Sequence, residues 1–307
     1  MTPSTARSAV DGAVPVLVNR QAGAVATLGR TAAGVIGAAF DAAGLRTRII
    51  LLDGAAIADA VRTHAAAPLL VIGGGDGTLG AGLAGRRGHG TTGLLPLGTR
   101  NHLARDLGVA TDLHAAARVI AAGHTRTIDL ASVNGHGFVN NASVGLYPLM
   151  VRRREARTRG GLPKWLATLP AAWAALARLP HHRLHLHGPV ACAHDVRTPL
   201  LFVGNNRYGL ERGRLGNRLA LDDGLLSVLA VATNTRTGLI WLAVRALTGR
   251  IDPARDFTVI GDCTRLLVRS RAGTIDVALD GEVIRLAPPL RFTVSPGALR
   301  ICVPLPA

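Results

Sequence analysis

The sequence predicts an α/β domain with parallel strands, followed by a second domain that is mainly β. Over the first 130 residues, short apolar runs alternate with alanine-rich stretches of helical periodicity. From about residue 125 the chain changes to short stretches of alternating polarity, beginning with "TRTIDLASVNGHGFVNNASVG". We therefore predict domains over residues 1–128 and 129–307, and we leave open that the final strands return to the first domain.

The elements of the first domain follow one another in strand–helix order. Predicted strands cover residues 14–18, 47–52, 69–72 and 93–95. Predicted helices cover residues 24–43, 55–65, 100–107 and 112–122. Repeated strand–helix–strand units are typical of a parallel sheet covered by helices.

The second domain contains short strands and turns. Predicted strands cover residues 200–203, 225–231, 257–260, 265–269 and 275–279, and "LRFTVSPGALRICVP" at the end of the chain predicts two more. Asn134-Gly135 predicts a hairpin turn. A basic, helical insertion is predicted over residues 148–180. In "HHRLHLH", the alternation of apolar and polar residues indicates one solvent face of a strand more readily than a metal site.

The charge of the chain points to an anionic partner. Thirty-five basic residues against 19 acidic ones give a formal net charge of +16. Nucleotide, nucleic acid and phospholipid surfaces are all compatible with that charge. Lys164 is the only lysine, so arginine, which binds phosphate through a planar fork, supplies nearly all of the basic residues. Aromatic residues make up only 3% of the chain, which argues against the stacking platforms of single-strand nucleic-acid binders.

Cysteine usage and hydropathy indicate a cytoplasmic protein. Cys192, Cys263 and Cys302 are widely spaced and form no C-x-x-C pair, so we interpret them as reduced thiols. The N-terminus lacks the charged start and long apolar region of a signal peptide. Residues 161–179 are the best candidate for a membrane span, but prolines and charges interrupt them.

Two glycine-rich stretches follow predicted strands. The first, "VIGGGDGTLG" at residues 71–80, satisfies G-x-G-x-x-G formally, but no acid for a ribose follows between Gly80 and Arg105 and no G-K-[ST] of a P-loop is present. We predict a helix that begins near Thr78, whose N-terminus favours anions. The alternative is an ordinary tight turn between strand and helix. The second stretch, "LPLGTRNHLARDLG" at residues 95–108, has the same arrangement.

Together the two turns resemble the diacylglycerol kinase catalytic family, which includes bacterial soluble lipid kinases and sphingosine kinases and is distantly similar to NAD kinases. The resemblance continues, in family order, through "VLVNRQAG", "FVNNASVGLYPLMVRRRE", "FVGNNRYGLERGRLGNRLALDDGLLSV" and "LDGEV". It implies a Rossmann-like parallel α/β domain and a β-rich, sandwich-like C-terminal domain, as in NAD kinases and diacylglycerol kinases.

The resemblance also implies a nucleotide site. Its residues would be Asn19, Gly74, Gly75, Asp76, Gly77, Thr78, Gly98, Thr99 and Asn101. Asp76 would organise the reacting centre and Mg²⁺, which can stand between an acid and phosphates. The family often has G-T-G-N-D in the second turn, whereas Arg100 and His102 occupy two of those places here.

In the second domain, "LDGEV" in isolation is more typical of an ordinary D-G turn. The resemblance implies that it supplies a general base, Glu282 in preference to Asp280. "LALDDGLL" would hold a divalent ion through the carboxylate of Asp223 and the carbonyls of Ala220 and Leu225, or it is a solvated turn. Asp129 is either part of an acidic network near the site or structural.

We therefore expect an ATP-dependent, Mg²⁺-requiring lipid kinase that phosphorylates a lipid hydroxyl, diacylglycerol first. The alternatives are an NAD kinase-like enzyme and a non-catalytic basic lipid-binding protein. The expected partner is a lipid at the inner face of the membrane, with no nucleic acid and with a homo-oligomer left open. The basic residues expected to contact that membrane, unless they form a solvated helix face, are Arg152, Arg153, Arg154, Arg157 and Arg159.

Overall fold

The computed structural model of the protein describes residues 12–86, 88, 90–149, 151, 182–189, 192–209, 218–233, 235–248, 250 and 252–305. These residues form two compact units. Unit 1 contains the described residues up to Thr127 together with those from Leu299 onward, and unit 2 runs from Ile128 to Ala298. The predicted insertion over residues 148–180, with the five arginines expected to contact the membrane, lies almost wholly outside the described residues.

Unit 1 is a parallel sheet with helices. Its strands are β1 (Val14–Asn19), β2 (Thr47–Leu52), β3 (Leu69–Gly74) and β4 (Thr91–Pro96), and its helices are α1 (Gly23–Leu28), α2 (Ala32–Ala42), α3 (Ile57–Thr63), α4 (Asp76–Gly85), α5 (His102–Asp106) and α6 (Leu113–Ala122). Short 3₁₀ turns cover Gly29–Thr31 and Gly54–Ala56. The strands lie in the order β2-β1-β3-β4, all parallel, and Arg300 and Ile301 near the end of the chain pair in parallel with β4.

The predicted helix over residues 24–43 is divided in two. Gly29, with φ of 56°, separates α1 from α2, because glycine readily adopts the left-handed backbone that ends a helix. By length and composition alone, residues 23–42 could cross a membrane. In unit 1, Ile36 and Phe40 of this stretch are fully buried, so its apolar face belongs to the core.

Unit 2 contains two mainly antiparallel sheets. One has the order β12-β11-β10-β7-β14-β15, formed by Phe257–Cys263, Leu226–Val231, Leu200–Asn205, Asn141–Gly145, Ile275–Leu279 and Glu282–Leu286. The other contains β16 (Leu290–Cys302), β13 (Arg265–Arg269), β8 (His182–His187) and β9 (His194–Thr198) in that order, with β5 (Thr125–Val133) and β6 (His136–Phe138) on the far side of β16. Helices α7 (Arg236–Leu247) and α8 (Pro253–Asp256) connect β11 to β12, and residues 146–149 are also helical.

The two sheets of unit 2 share one hydrophobic core. Phe138 and Phe292 from one sheet pack in it edge to face, with ring centroids 6.5 Å apart, and Val203 and Val277 come from the other. This arrangement confirms the predicted α/β domain followed by a β-rich domain.

Two local predictions for unit 2 have different outcomes. The Asn134-Gly135 hairpin is confirmed: both residues have positive φ, and Val133 pairs with His136 across the turn. The prediction of two strands at the end of the chain is wrong, because β16 continues through Pro296 and Gly297 as one strand. The Gly297 N–H donates to the carboxylate of Asp129 at 2.8 Å, so this backbone group is hydrogen-bonded to a side chain and not to a neighbouring strand.

Candidate active site

Three strands of unit 1 end at the same edge of its sheet, and each is followed by residues of the predicted nucleotide site. Asn19 ends β1, the first glycine turn follows β3, and the second follows β4. In the order β2-β1-β3-β4, the connection from β1 leads to β2 on one side, whereas the connection from β3 leads to β4 on the other side. Ligands of open α/β sheets bind outside the carboxyl ends of the strands at such a point.

The first glycine turn leads directly into a helix. Gly75 is extended and forms the N-cap, so α4 begins at Asp76 rather than near Thr78 as predicted. The charge of the acid explains the earlier start, because a carboxylate in the first turn is stabilised by the helix dipole. The first N–H groups of the helix have no acceptor within it, so they are available to an anion.

Asn19 connects β1 to the first glycine turn. Its side-chain N–H donates to Thr78 Oγ1 at 2.9 Å, and its Oδ1 accepts from the Gln21 N–H at 2.9 Å. Thr78 is buried at 6% exposure and packs against Gly74, where a Cβ atom would lie 2.6 Å from Thr78 Cβ. The predicted residues of the first turn therefore form one connected group.

The second glycine turn touches the first. A Cβ atom on Gly98 would lie 2.4 Å from the Cα of Gly75, a distance that no side chain tolerates. Asn101 maintains the fold of the second turn from within: it has φ of 50°, its Oδ1 accepts from the Gly98 N–H at 3.0 Å, and its Nδ2 donates to the carbonyls of Pro96 and Gly98. The side chain of Asn101 thus shapes the turn, whereas Thr99 is exposed.

Asp76 also connects the two turns. Its Oδ1 accepts from the backbone N–H of Leu103 at 3.2 Å, in the first turn of α5, a helix without a side-chain cap of its own. Arg100, His102 and Arg105 are exposed around this helix start. The turns together therefore offer backbone donors, one carboxylate and nearby cations, a combination suited to nucleotide phosphates and a divalent ion.

In unit 2, "LDGEV" forms the two-residue turn between β14 and β15. Asp280 and Gly281 have φ of 48° and 94°, and Leu279 pairs with Glu282. The D-G turn typical of this sequence is therefore observed, and it leaves a catalytic role of its carboxylates open as a proposal. The carboxylate of Asp280 accepts three backbone N–H groups, from Val139 at 2.8 Å, Asn140 at 2.8 Å and Asn141 at 3.1 Å.

Burial dominates the ionisation of Asp280. Desolvation raises its pKa to about 6, although the three N–H donors and the charge of Arg218 favour the ionised form. A carboxylate so fully engaged with the backbone fixes residues 139–141 in place. Glu282, two residues further along the chain, is exposed.

The predicted metal residues lie on the loop before β11, beside a buried acid. Asp129 is 1% exposed and accepts from the N–H groups of Gly224 at 2.7 Å and Gly297 at 2.8 Å. The three predicted ligands are Ala220, Asp223 and Leu225. The backbone N–H of Asp223 donates to Asn206 Oδ1, and the carbonyl of Leu225 accepts the backbone N–H of Asn206. Asp129 therefore has a structural role in this loop. No group of three or more His, Cys, Asp or Glu residues suited to a metal occurs within the described ranges.

Asn205 and Asn206 stabilise the same region, although we assigned them no role from the sequence. Asn205 is 1% exposed and donates to the carbonyls of Asp129 and Val139. Asn206 is fully buried with φ of 69°. Their signal in the sequence was their place in "FVGNNRYGL", where consecutive asparagines follow an apolar strand.

Comparison with known proteins identifies the family. The model of the diacylglycerol kinase catalytic domain matches residues 13–133. A probable YegS-like lipid kinase of Pseudomonas aeruginosa is 34% identical over 243 residues, 76% of each chain. The diacylglycerol kinase of Bacillus subtilis is 36% identical over 191 residues, 59% of this chain and 60% of that protein.

Solved structures support the fold. A putative diacylglycerol kinase from Bacillus anthracis aligns over 95% of both chains, with a TM-score of 0.71 at 20% identity. An NAD kinase from Archaeoglobus fulgidus, solved with ATP, aligns over 94% of this chain and 92% of that one, with a TM-score of 0.50 at 11% identity. Membership of a kinase family implies that ATP is used. The chain thus belongs to the diacylglycerol kinase catalytic family and is a phosphotransferase whose acceptor is an alcohol group.

Proposed function

We propose that this protein transfers the γ-phosphoryl group of ATP to the hydroxyl group of diacylglycerol at the inner face of the membrane. The observation that carries the proposal is the pair of touching glycine turns, joined by Asp76 and Leu103, in a chain of this family. The name of the Bacillus subtilis relative supports diacylglycerol as the acceptor.

The residues of unit 1 fit a nucleotide. Gly74, Gly75, Gly77 and Gly98 carry no side chain, so phosphate oxygens can approach the backbone N–H groups at the start of α4 closely. Asn19 and Thr78 hold the turn in this form through their mutual hydrogen bond. Thr99, exposed on the second turn, provides a hydroxyl for the same ligand.

Asp76 also fits Mg²⁺. Its Oδ1 accepts one backbone N–H, which leaves most of the lone pairs of the carboxylate for a hard cation. When bound, Mg²⁺ would neutralise charge on the phosphates. A second divalent ion is proposed at Ala220, Asp223 and Leu225, with a structural role.

Glu282 is proposed to accept the proton of the acceptor hydroxyl. As that proton leaves, the hydroxyl oxygen bonds to the γ-phosphorus, the bond to the bridging oxygen breaks, and ADP departs. In phosphoryl transfer, positioning and electrostatics supply most of the catalysis, so the base contributes only part of the rate.

The proposal is tested by incubating the purified protein with labelled ATP and Mg²⁺ in micelles that contain diacylglycerol, monoacylglycerol, sphingosine or ceramide. We expect labelled phosphatidic acid as the main product, and no NADP when NAD is offered instead. The Asp76→Asn variant controls for contaminating kinases. Absence of any labelled lipid would contradict the proposed function, and a labelled product other than phosphatidic acid would change the acceptor.

A further inference from the structure

One sheet of unit 2 has a strongly basic outer face. In β8 and β13, Leu184, Leu186, Leu266 and Val268 point into the core, so the alternate residues of these strands point outward. With their neighbours on β9 and β16, the outward positions are Arg183, His185, His187, Asp195, Arg197, Arg265, Leu267, Arg269, Arg291 and Thr293. We call these ten residues the basic sheet face.

Strand register places two arginines beside one another on the basic sheet face. Arg183 lies directly opposite Arg197. Like charges directly opposite each other destabilise a sheet. The one acid on the face, Asp195, accepts from His185 Nδ1 at 2.7 Å. Within the part of the chain that the structure describes, none of the five arginines of the face forms an ion pair with a carboxylate.

A groove runs along this face. Its volume is about 430 Å³, and its rim includes Arg265, Arg291, His187 and Thr264. Leu267 forms the floor between the arginines, because it pairs with Arg291 on one side and with His187 on the other. The exposed lining of the groove is mainly apolar, and the guanidinium groups of Arg265 and Arg291 beside it suit a phosphate group.

We propose that the basic sheet face docks the protein on a bilayer that contains anionic phospholipid, with the arginines of the face at the lipid phosphates. The inference rests on the proposed function, because a diacylglycerol acceptor resides in a bilayer. Charge complementarity favours this occupant, because five arginines stand against a single acid on one sheet face. Nucleic acid is a poorer match, since the outward positions include no aromatic side chain on which a base could stack.

The test measures binding to vesicles without ATP, so it does not depend on catalysis. Wild type and the triple variant Arg265→Gln/Arg269→Gln/Arg291→Gln are sedimented with phosphatidylcholine vesicles, with and without phosphatidylglycerol. We expect wild type to bind only the anionic vesicles, and the variant to bind them roughly 10- to 100-fold more weakly, because each basic residue at such a surface contributes to the affinity. Thermal unfolding of the variant shows whether its fold is retained.

A matched control removes the same charge elsewhere. Arg30, Arg46 and Arg118 are exposed in unit 1, so Arg30→Gln/Arg46→Gln/Arg118→Gln should retain most of the vesicle binding. A rival variant replaces Arg152, Arg153 and Arg154, which the sequence predicts to contact the membrane. Equal loss in the control, or loss only in the rival variant, would overturn the basic sheet face as the docking surface.

Two further measurements separate the possible failures. Phosphorylation of diacylglycerol in neutral detergent micelles should be the same for wild type and the sheet-face variant. If neither phosphorylates lipid but the charge-dependent vesicle binding is observed, the proposed function fails while the docking surface stands. If wild type does not bind anionic vesicles, or binds duplex DNA instead through the same arginines, the docking inference fails.

Discussion

Gly98 lies so close to Gly75 that a methyl group on Gly98 would be 2.4 Å from the Cα of Gly75. The same methyl group would be 2.9 Å from Asn101 Oδ1, which holds the second turn together. The two glycine turns therefore fit together only because Gly98 has no side chain. This contact aligns the ends of β3 and β4 where the nucleotide is proposed to bind.

Gly98→Ala should separate the two turns. Because the clash is with backbone, relief requires movement of a whole loop, and overpacking of this kind costs about 1–3 kcal/mol. We expect a lower melting temperature and a clear loss of ATP affinity, measured by thermal unfolding and by titration with nucleotide.

Gly34→Ala is the matched control for that variant. Gly34 is exposed within α2, and nothing lies within 4 Å of an added Cβ atom. The change should leave ATP affinity unaltered and stabilise the helix by about 0.5–1 kcal/mol. Normal ATP affinity in Gly98→Ala would show that contact of the turns is not needed for the nucleotide.

Asp76→Asn should abolish turnover with little effect on stability. The asparagine retains an oxygen that can accept from the Leu103 N–H, so the link between the turns survives. It loses the charge proposed to hold Mg²⁺. We expect an unchanged melting temperature and a kcat below detection, and wild-type activity would reject the proposed role.

Asp76→Ala distinguishes the charge from the link. It removes both, so it should also lose about 1 kcal/mol of stability, as does the loss of a helix cap. Unfolding in denaturant measures the difference between the two variants.

Glu282→Gln should lower kcat by roughly 10²- to 10⁴-fold, the usual contribution of a general base. The affinity for ATP should change little, because the proposed base acts on the acceptor hydroxyl and not on the nucleotide. Single-turnover kinetics with diacylglycerol in micelles measures the chemical step directly.

Asp280→Asn is the comparison for Glu282→Gln. An amide nitrogen in place of Oδ2 cannot accept from the Val139 N–H, so the variant should lose about 1 kcal/mol of stability. If Asp280→Asn stopped the chemistry while Glu282→Gln did not, Asp280 would be the base.

The raised pKa of Asp280 predicts a pH dependence of stability. Its folded pKa of about 6 lies above that of an aspartate in the unfolded chain, near 4. Between those values the folded protein retains a proton that the unfolded chain has released, so this residue's contribution to stability falls as the pH rises from about 4 to 6. The free energy of unfolding of wild type, relative to Asp280→Asn, should decrease over this range and be constant above it. A constant difference throughout would contradict the raised pKa.

The sequence by itself determined the order of elements and the family. Apolar periodicity located β1 to β4, because each strand must bury a run of side chains in the sheet. Asn134-Gly135 predicted its hairpin because both residues tolerate positive φ. Alternation in "HHRLHLH" predicted an outward face, and Leu184 and Leu186 are indeed buried, whereas Arg183 and His187 are exposed and His185 is half-buried.

Only the tertiary structure decided which distant residues meet. Asp76 and Leu103 are 27 positions apart, and Asp280 accepts from residues about 140 positions away. No local pattern encodes such contacts, since they depend on how strands are ordered and in which register they pair. The same reason explains the basic sheet face. Arg183 becomes a neighbour of Arg197 only when β8 pairs with β9. Leu267 likewise meets His187 and Arg291 only when β13 pairs with β8 and β16.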